Sequence, residues 1–201
     1  MIPALGSLHT GRLVLTTVDP LQAVAQPTIV GLLTELGLVG PRRDAVASFD
    51  AGPALGALVG FTGCAVQFDG AGAPEATHGP WLHVPPATME PRLRWGRNTR
   101  PPRCPTCSAA LHAWREHLPA PEPGADDPRG LCCDADLPLR CDTCGSAQPT
   151  HRWRWGRHAG AGRSFVLIEE VFPGEARPLS ALLQALEQLG AGTWDYFYVQ
   201  D

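Results

Sequence analysis

Two cysteine pairs carry the strongest chemical signal in this sequence. Cys104 and Cys107 form the motif CPTC, Cys141 and Cys144 form CDTC, and 33 residues separate the two pairs. Two residues between thiolates allow one tight turn to direct both sulfurs at the same ion, and two such turns complete the tetrahedron that Zn²⁺ prefers. The spacing therefore predicts a metal site with four cysteine ligands.

These motifs resemble the metal-binding turns of zinc ribbons and rubredoxin-like modules, and the resemblance covers about residues 92 to 157. It implies a small β module held together by one ion. Two features depart from the usual pattern: the segment between the pairs is long, and the first pair lacks the glycine that usually follows its second cysteine. Rubredoxins bind iron, but zinc is the commoner ion in closed four-cysteine sites, so we expect structural Zn²⁺ rather than iron.

A second set of ligands competes for the first cysteine pair. The spacing C-x2-C-x4-H-x4-H, close to that of zinc knuckles, is formed by Cys104, Cys107, His112 and His117. A second ion would then be bound by Cys132, Cys133, Cys141 and Cys144. However, residues 108 to 118 read as a helix, on which side chains five residues apart point about 140° from each other. We therefore favour the single site, and two ions per chain would indicate the alternative.

The stretch RLRWGR at residues 92 to 97 is nearly repeated as RWRWGR at residues 152 to 157. In extended backbone, alternate side chains face opposite ways, so each copy separates its arginines from its apolar and aromatic residues. Because the copies flank the cysteine pairs, we expect them to form an antiparallel two-stranded stem, with the tryptophans in the core. The arginine face predicted for contact with anions or nucleic acid consists of Arg92, Arg94, Arg152 and Arg154.

The charge of the chain is unevenly distributed. All 16 basic residues counted in the net charge of −4 are arginines, as expected from the codon bias of a GC-rich genome. Residues 92 to 163 contain 12 arginines and 7 acidic residues, whereas the rest contains 4 arginines and 13 acidic residues. The basic surface is therefore local, and pairing of these arginines with acidic residues of the same protein, such as Glu169 and Glu170, is favoured over nucleic-acid binding.

The rest of the sequence predicts the elements that carry this module. Strands are predicted at residues 11–18, 64–69, 163–172 and 194–201, and helices at residues 27–37 and 178–190. We expect an α+β fold, with a small mixed sheet, two main helices and an inserted zinc-ribbon-like β module. The predicted parts are residues 1–91 for the N-terminal α/β part of the core, 92–157 for the module with a long loop at 118–130, and 158–201 for the strand-helix-strand that completes the core. Whether the two strand-helix-strand runs are a duplication stays open.

An enzymatic role has little support in the sequence. Cys64 begins a predicted strand, with His78 and His83 downstream, but a cysteine nucleophile needs a base and an activating environment, and neither is evident. A buried apolar cysteine is the favoured interpretation. The sequence contains no phosphate loop, dinucleotide-binding fingerprint or nucleophile elbow.

These observations favour a zinc-binding, non-catalytic accessory or adaptor protein that acts through contact with a protein partner. Two alternatives stay open: an RNA- or DNA-binding protein that uses the arginine face, and an enzyme that uses Cys64 or an open metal site. No apolar run approaches the roughly 20 residues that cross a bilayer, and the first residues lack the pattern of a signal peptide. We therefore expect a cytoplasmic protein without a membrane partner.

Overall fold

The computed structural model describes residues 11–62, 79–119 and 131–200. Its α-helices are α1 (Gln26–Glu35), α2 (Leu55–Leu58) and α3 (Ser180–Glu187), and 3-10 helices span Trp114–His117 and Thr150–Arg152. In chain order, its strands are β1 (Gly11–Thr17), β2 (Val39–Arg42), β3 (Ser48–Ala51), β4 (Val59–Phe61), β5 (Trp81–His83), β6 (Arg92–Trp95), β7 (Leu131–Asp134), β8 (Pro138–Arg140), β9 (Ala147–Pro149), β10 (Ala159–Gly162), β11 (Phe165–Glu169), β12 (Ala176–Pro178) and β13 (Trp194–Gln200).

Six of these strands form the main sheet, in the order β13-β1-β11-β5-β3-β2. The α+β class is confirmed, but every pairing in this sheet is antiparallel, so the sheet is not mixed. The predicted neighbours β11 and β13 do not pair with each other, because β1 lies between them and pairs with both. These two C-terminal strands run parallel to each other on either side of β1, so helix α3 connects them without making them neighbours.

The predicted core elements agree with the structure where it describes them. Strands predicted at 11–18, 163–172 and 194–201 correspond to β1, β11 and β13, and helices predicted at 27–37 and 178–190 correspond to α1 and α3. Residues four apart on each helix are buried, Ile29 with Leu33 and Leu182 with Leu186. This spacing directs one apolar face of each helix at the sheet. The strand predicted at 64–69 and residues 120–130 of the predicted loop lie outside the described residues.

Both faces of the main sheet are covered. Leu13 and Leu15 point toward the helices and belong to the largest cluster of buried apolar residues. Val14 points the other way and packs with Phe165 and Phe197. All seven residues of β1 are consequently buried, since side chains alternate between two covered faces.

A second sheet contains β6 and β7 of the segment predicted as the metal module, together with β10 from the segment that follows it. Strand β6 lies between β10 and β7, and β8 pairs with β9 in a separate hairpin. The buried apolar residues of this segment, including Leu93, Trp114 and Trp155, form a cluster of their own. The division of the chain into three parts remains a prediction.

The predicted stem between the two RWGR-containing copies is wrong. Strand β6 is the first copy, but it pairs with β10 and β7. The second copy begins in a 3-10 helix, and its Arg154 makes an isolated bridge with Arg103. Trp153 and Trp155 of this copy are buried, and their indole N–H groups donate to the carbonyls of Gln148 and Thr150. Burial of these two rings in the module thus replaces pairing with β6.

The predicted helix at residues 108 to 118 is also largely wrong. Only Trp114–His117 is helical, as a 3-10 turn. Ala110 instead bridges Arg103, and the Leu111 N–H donates to the Pro102 carbonyl at 3.0 Å. Backbone groups that an α-helix would use are therefore already bonded to the segment that enters the first cysteine pair.

Candidate metal centre

The two cysteine pairs come together in space. One ligand atom from each of Cys104, Cys107, Cys141 and Cys144 lies within 4.8 Å of the others. The Sγ atoms of Cys104 and Cys144 are 3.8 Å apart, and those of Cys107 and Cys141 are 3.6 Å apart. A tetrahedron with Zn–S bonds of about 2.3 Å has S···S edges of about 3.8 Å, whereas a disulfide requires about 2.05 Å. The arrangement therefore fits four ligands around one ion.

Each cysteine pair lies in a turn with the same hydrogen bonds. In the Cys104 turn, residues 104–109, the Ser108 N–H donates to the Cys104 carbonyl and the Cys104 N–H donates to the Ala109 carbonyl, both at 2.9 Å. In the Cys141 turn, residues 141–146, the Gly145 N–H donates to the Cys141 carbonyl and the Cys141 N–H donates to the Ser146 carbonyl, again at 2.9 Å. The repeated sequence spacing thus becomes a repeated backbone geometry.

The two turns differ at the residue after the second cysteine. Gly145 has φ +69°, and Ser108 takes the same left-handed conformation with φ +63°. Glycine adopts this conformation freely, whereas for a residue with a Cβ it costs about 1–2 kcal/mol of conformational free energy. The missing glycine of the first pair therefore does not change the fold of the turn, but it introduces strain there.

The four thiols do not ionise equally. Burial opposes ionisation of Cys104, but hydrogen bonds from the backbone N–H groups of Cys107 and Thr106 and from neighbouring thiols outweigh it and lower the pKa of Cys104 to about 6. At Cys107 the Ala109 N–H favours the thiolate, but desolvation and the other three sulfurs raise the pKa to about 12. Some thiolates therefore form readily, while a further one needs a cation to offset the accumulated negative charge.

The rival ligands are not part of this cluster. His112 and His117 are both exposed, and in the part of the chain that the structure describes only the four cysteines form a group with metal-ligand spacing. Cys133 is buried opposite Leu93, in the pairing of β7 with β6. Cys132 precedes it in the same strand, where its backbone pairs with that of Arg94. Cys141 and Cys144 accordingly lie with the first cysteine pair, and Cys133 does not belong to this group.

The predicted arginine face is divided by the fold. Arg94 is 6% exposed, and its guanidinium lies 4.6 Å from the centre of the Phe165 ring. Arg92 is partly buried, while Arg152 and Arg154 are exposed. Strand β6 lies against the main sheet on one face and against the rest of the module on the other. Alternation of side chains along this strand therefore does not expose its arginines. The prediction of one four-arginine surface is wrong.

The tryptophans lie in the core of the module, as predicted. The Trp114 ring meets Trp95 and Trp155 edge to face, with centroids 5.3 and 5.1 Å apart. Arg115 covers this group, with its guanidinium 4.3 Å from the centre of the Trp114 ring. These rings share one buried cluster with Cys104 and Cys141, so the metal site is built onto the apolar core of the module.

Of the other residues with predicted chemistry, the structure describes His83 and Glu169. His83 is buried, and its Nδ1 lies 3.3 Å from the Ser48 hydroxyl. Glu169 is buried opposite Arg12, with 3.5 Å between its Oε2 and the arginine Nε. Cys64 and His78 lie outside the described residues.

Sequence reasoning missed the residues that hold the Cys104 turn. Arg154 donates to the carbonyl of Cys104 and to the hydroxyl of Ser108, and Arg103 donates to the carbonyl of Ser108. The signal for Arg154 was the repeat itself, since Arg154 lies between two tryptophans that both become buried.

No family model, curated protein or solved structure matches the chain. Among the described helices, none has the length and apolar character to cross a membrane.

Proposed function

We propose that the four-cysteine cluster binds one structural Zn²⁺ ion and that the chain is a non-catalytic accessory or adaptor protein. The observation that carries the proposal is the meeting of four cysteine ligand atoms within 4.8 Å. Four thiolates complete the coordination shell of Zn²⁺ and leave no position for water or substrate, which is the arrangement of structural zinc. Zinc is favoured over iron because it is the commoner ion in closed four-cysteine sites.

The position of the cluster supports a structural role. Cys104 and Cys141 belong to the buried apolar cluster of the module, whereas Cys107 and Cys144 lie at its surface. An ion bound here would join the Cys104 turn to the Cys141 turn, which are far apart in the sequence. Because unfolded chain lacks the preformed site, metal binding would contribute directly to the stability of the module.

Metal analysis tests this part of the proposal. The purified protein should contain one zinc per chain, and Cys141→Ser should lose the ion and lower the melting temperature. Cys133→Ser is the matched control, because Cys133 is buried in the same module without belonging to the cluster. Two ions per chain, or full metal retention in Cys141→Ser, would contradict the assigned ligands.

The adaptor role is supported by apolar side chains on two neighbouring loops. Arg163 donates to the carbonyl of Leu21 at 3.0 Å and to the carbonyl of Thr88 at 2.9 Å, and so holds both loops together. Leu21 is 51% exposed and Met89 is 83% exposed. Exposed apolar side chains on neighbouring loops are candidates for contact with a protein partner.

Photo-crosslinking in the native cell tests the adaptor role. A photoreactive residue at position 89 should give a discrete heteromeric product. The same residue at position 46 is the control, since Val46 is 60% exposed but lies in the turn between β2 and β3. Equal labelling at both positions, or none at either, would argue against a partner at these loops.

Nucleic-acid binding is a second candidate, favoured by the exposed arginines of the module. Within the described residues, Arg100, Arg140 and Arg152 are exposed, and their side chains form no hydrogen bond or ion pair with the rest of the protein. Binding through them would weaken with salt, and neutralising all three would reduce the salt dependence. To test this role, mixed RNA and DNA are titrated with the wild type and with an Arg100→Ala/Arg140→Ala/Arg152→Ala variant. The titrations at low and at physiological salt separate this role from the first. Absence of binding at low salt would exclude it.

A further inference from the structure

Two arginine side chains, those of Arg103 and Arg154, bond to the Cys104 turn. Ser108 holds its left-handed conformation, with φ +63°, in the place where the second turn has Gly145. The Nη2 atom of Arg154 lies 2.5 Å from the Ser108 hydroxyl and 3.2 Å from the Cys104 carbonyl oxygen. That carbonyl also accepts the Ser108 N–H, the bond that closes the turn. One guanidinium thus contacts both ends of the turn.

The position of Arg154 is itself fixed. Its N–H donates to the Arg103 carbonyl at 3.1 Å, and its carbonyl accepts the Arg103 N–H at 3.0 Å. Trp153 and Trp155 on either side are buried, with relative exposures of 3% and 6%. Because side chains alternate along extended backbone, burial of both rings directs the intervening Arg154 outward onto the turn. The WRW part of the second copy therefore places one arginine.

The negative charge expected at a metal centre with four thiolates also favours arginines near the turn. A Zn²⁺ ion with four thiolates has about two excess negative charges, and nearby cations stabilise such a centre. Arg103 donates to the Ser108 carbonyl at 3.1 Å, so two guanidinium groups lie on the Cys104 turn. Arg140, near the second turn, has its Nη2 3.7 Å from the point that a Cβ at Gly145 would occupy. In the described part of the protein, Arg140 forms no hydrogen bond to that turn.

We propose that Arg154 is a positioning residue of the metal centre. By bonding the Cys104 carbonyl and the Ser108 hydroxyl, it keeps the strained turn closed and the sulfurs of Cys104 and Cys107 aimed at the ion. Its loss opens this turn first and speeds release of the metal. The inference rests on the proposed function of the cluster as a metal site.

The rate of metal transfer to a chelator tests the proposal. The full chain is loaded with Zn²⁺ or Co²⁺, and the ion is captured by excess EDTA at a temperature where circular dichroism shows every variant folded. Loss of an outer contact of a metal ligand typically costs 10–100-fold in affinity, and we expect about this acceleration of release in Arg154→Ala. Arg154→Lys retains one donor and the charge, and its release rate should lie between those of the wild type and Arg154→Ala.

Two further variants separate positioning from general effects. Arg140→Ala removes a cation near the other turn without removing a hydrogen bond to that turn, and should accelerate release much less than Arg154→Ala. Ser108→Gly, added to Arg154→Ala, should restore slow release, because glycine adopts the left-handed conformation without help. The Co²⁺ absorption bands of Arg154→Ala should shift with the altered sulfur geometry and return in the double variant.

The outcomes distinguish the two levels of the proposal. Wild-type release rates in Arg154→Ala, equal acceleration in Arg140→Ala, or no rescue by Ser108→Gly would each overturn the role of Arg154 while leaving the metal site intact. A wild-type protein that binds neither Zn²⁺ nor Co²⁺ would refute the proposed function itself, and the role of Arg154 with it.

Discussion

The side-chain oxygen of Asn98 accepts a hydrogen bond from the backbone N–H of Gln200 at 2.9 Å. The Asn98 amide also donates to the Tyr198 carbonyl at 3.0 Å, and the Arg97 N–H donates to the Gln200 carbonyl at 2.8 Å. From the second copy of WGR, the Arg157 carbonyl accepts the Tyr198 N–H at 2.9 Å. Both copies thus bond to β13, the outer strand of the main sheet, and do not pair with each other as strands. They cover an edge whose free backbone groups would otherwise invite pairing with another chain.

Replacement of Asn98 by alanine should destabilise the protein and expose this edge. The Gln200 N–H and the Tyr198 carbonyl would both lose a partner, and we expect a loss of about 1–3 kcal/mol in the free energy of unfolding. Urea denaturation measures the loss, and light scattering over a range of concentrations detects association. Arg100→Ala is the control, because Arg100 is an exposed neighbour without contacts of this kind in the described protein. Equal stability of the two variants would show that β13 does not depend on this cover.

The glycines of the two WGR copies should respond differently to alanine. A Cβ at Gly96 would lie 2.2 Å from the Gln200 carbonyl oxygen, so the module would have to move away from β13. At Gly156 there is open space, but φ is +65°, which alanine adopts at a cost of about 1–2 kcal/mol. We therefore expect Gly96→Ala to lower the free energy of unfolding more than Gly156→Ala, because overpacking against backbone cannot relax locally. The reverse order in chemical denaturation would contradict the described approach of the two segments.

Some parts of the fold are determined by local sequence patterns, and others are not. Apolar spacing located β1 and α3, and the Cys-x-x-Cys spacing located the metal ligands, because each signal arises within one segment. The pairing of β6 with β10 could not be predicted in this way. Strand β10 is an AGAG segment without strand signal, in which Gly160 fits against the Phe197 ring at a distance that leaves no room for a Cβ. Burial of Arg94 follows from the same distant packing.

Zinc binding should release protons and weaken as the pH falls. With its pKa raised to about 12, the Cys107 thiol holds its proton at pH 7 until a metal ion replaces it. The Cys104 thiol, with a pKa of about 6, becomes protonated as the pH falls through 6, and zinc must then displace that proton too. Zinc affinity should therefore rise between pH 6 and pH 8. Calorimetry in buffers of different ionisation enthalpy counts the protons, and Cys107→Ser should release fewer. The same affinity at both pH values would contradict thiolate ligation.

Arg94 should contribute to stability, whereas Arg152 should not, although the sequence placed them on one face. The Arg94 guanidinium is buried 4.6 Å from the centre of the Phe165 ring, where a desolvated cation–π contact contributes about 2 kcal/mol. Arg94→Met retains the packing of the aliphatic stem and removes the charge, so its loss of stability reports the interactions of the guanidinium, of which the cation–π contact is one. Combined with Phe165→Leu in a double-mutant cycle, it should give a coupling free energy of about 1–2 kcal/mol. Arg152→Met, combined with the same Phe165→Leu, is the control and should couple by less than about 0.5 kcal/mol. Equal coupling free energies for the two arginines would indicate that Arg94 is exposed. Arg94 would then again be a candidate for contact with nucleic acid.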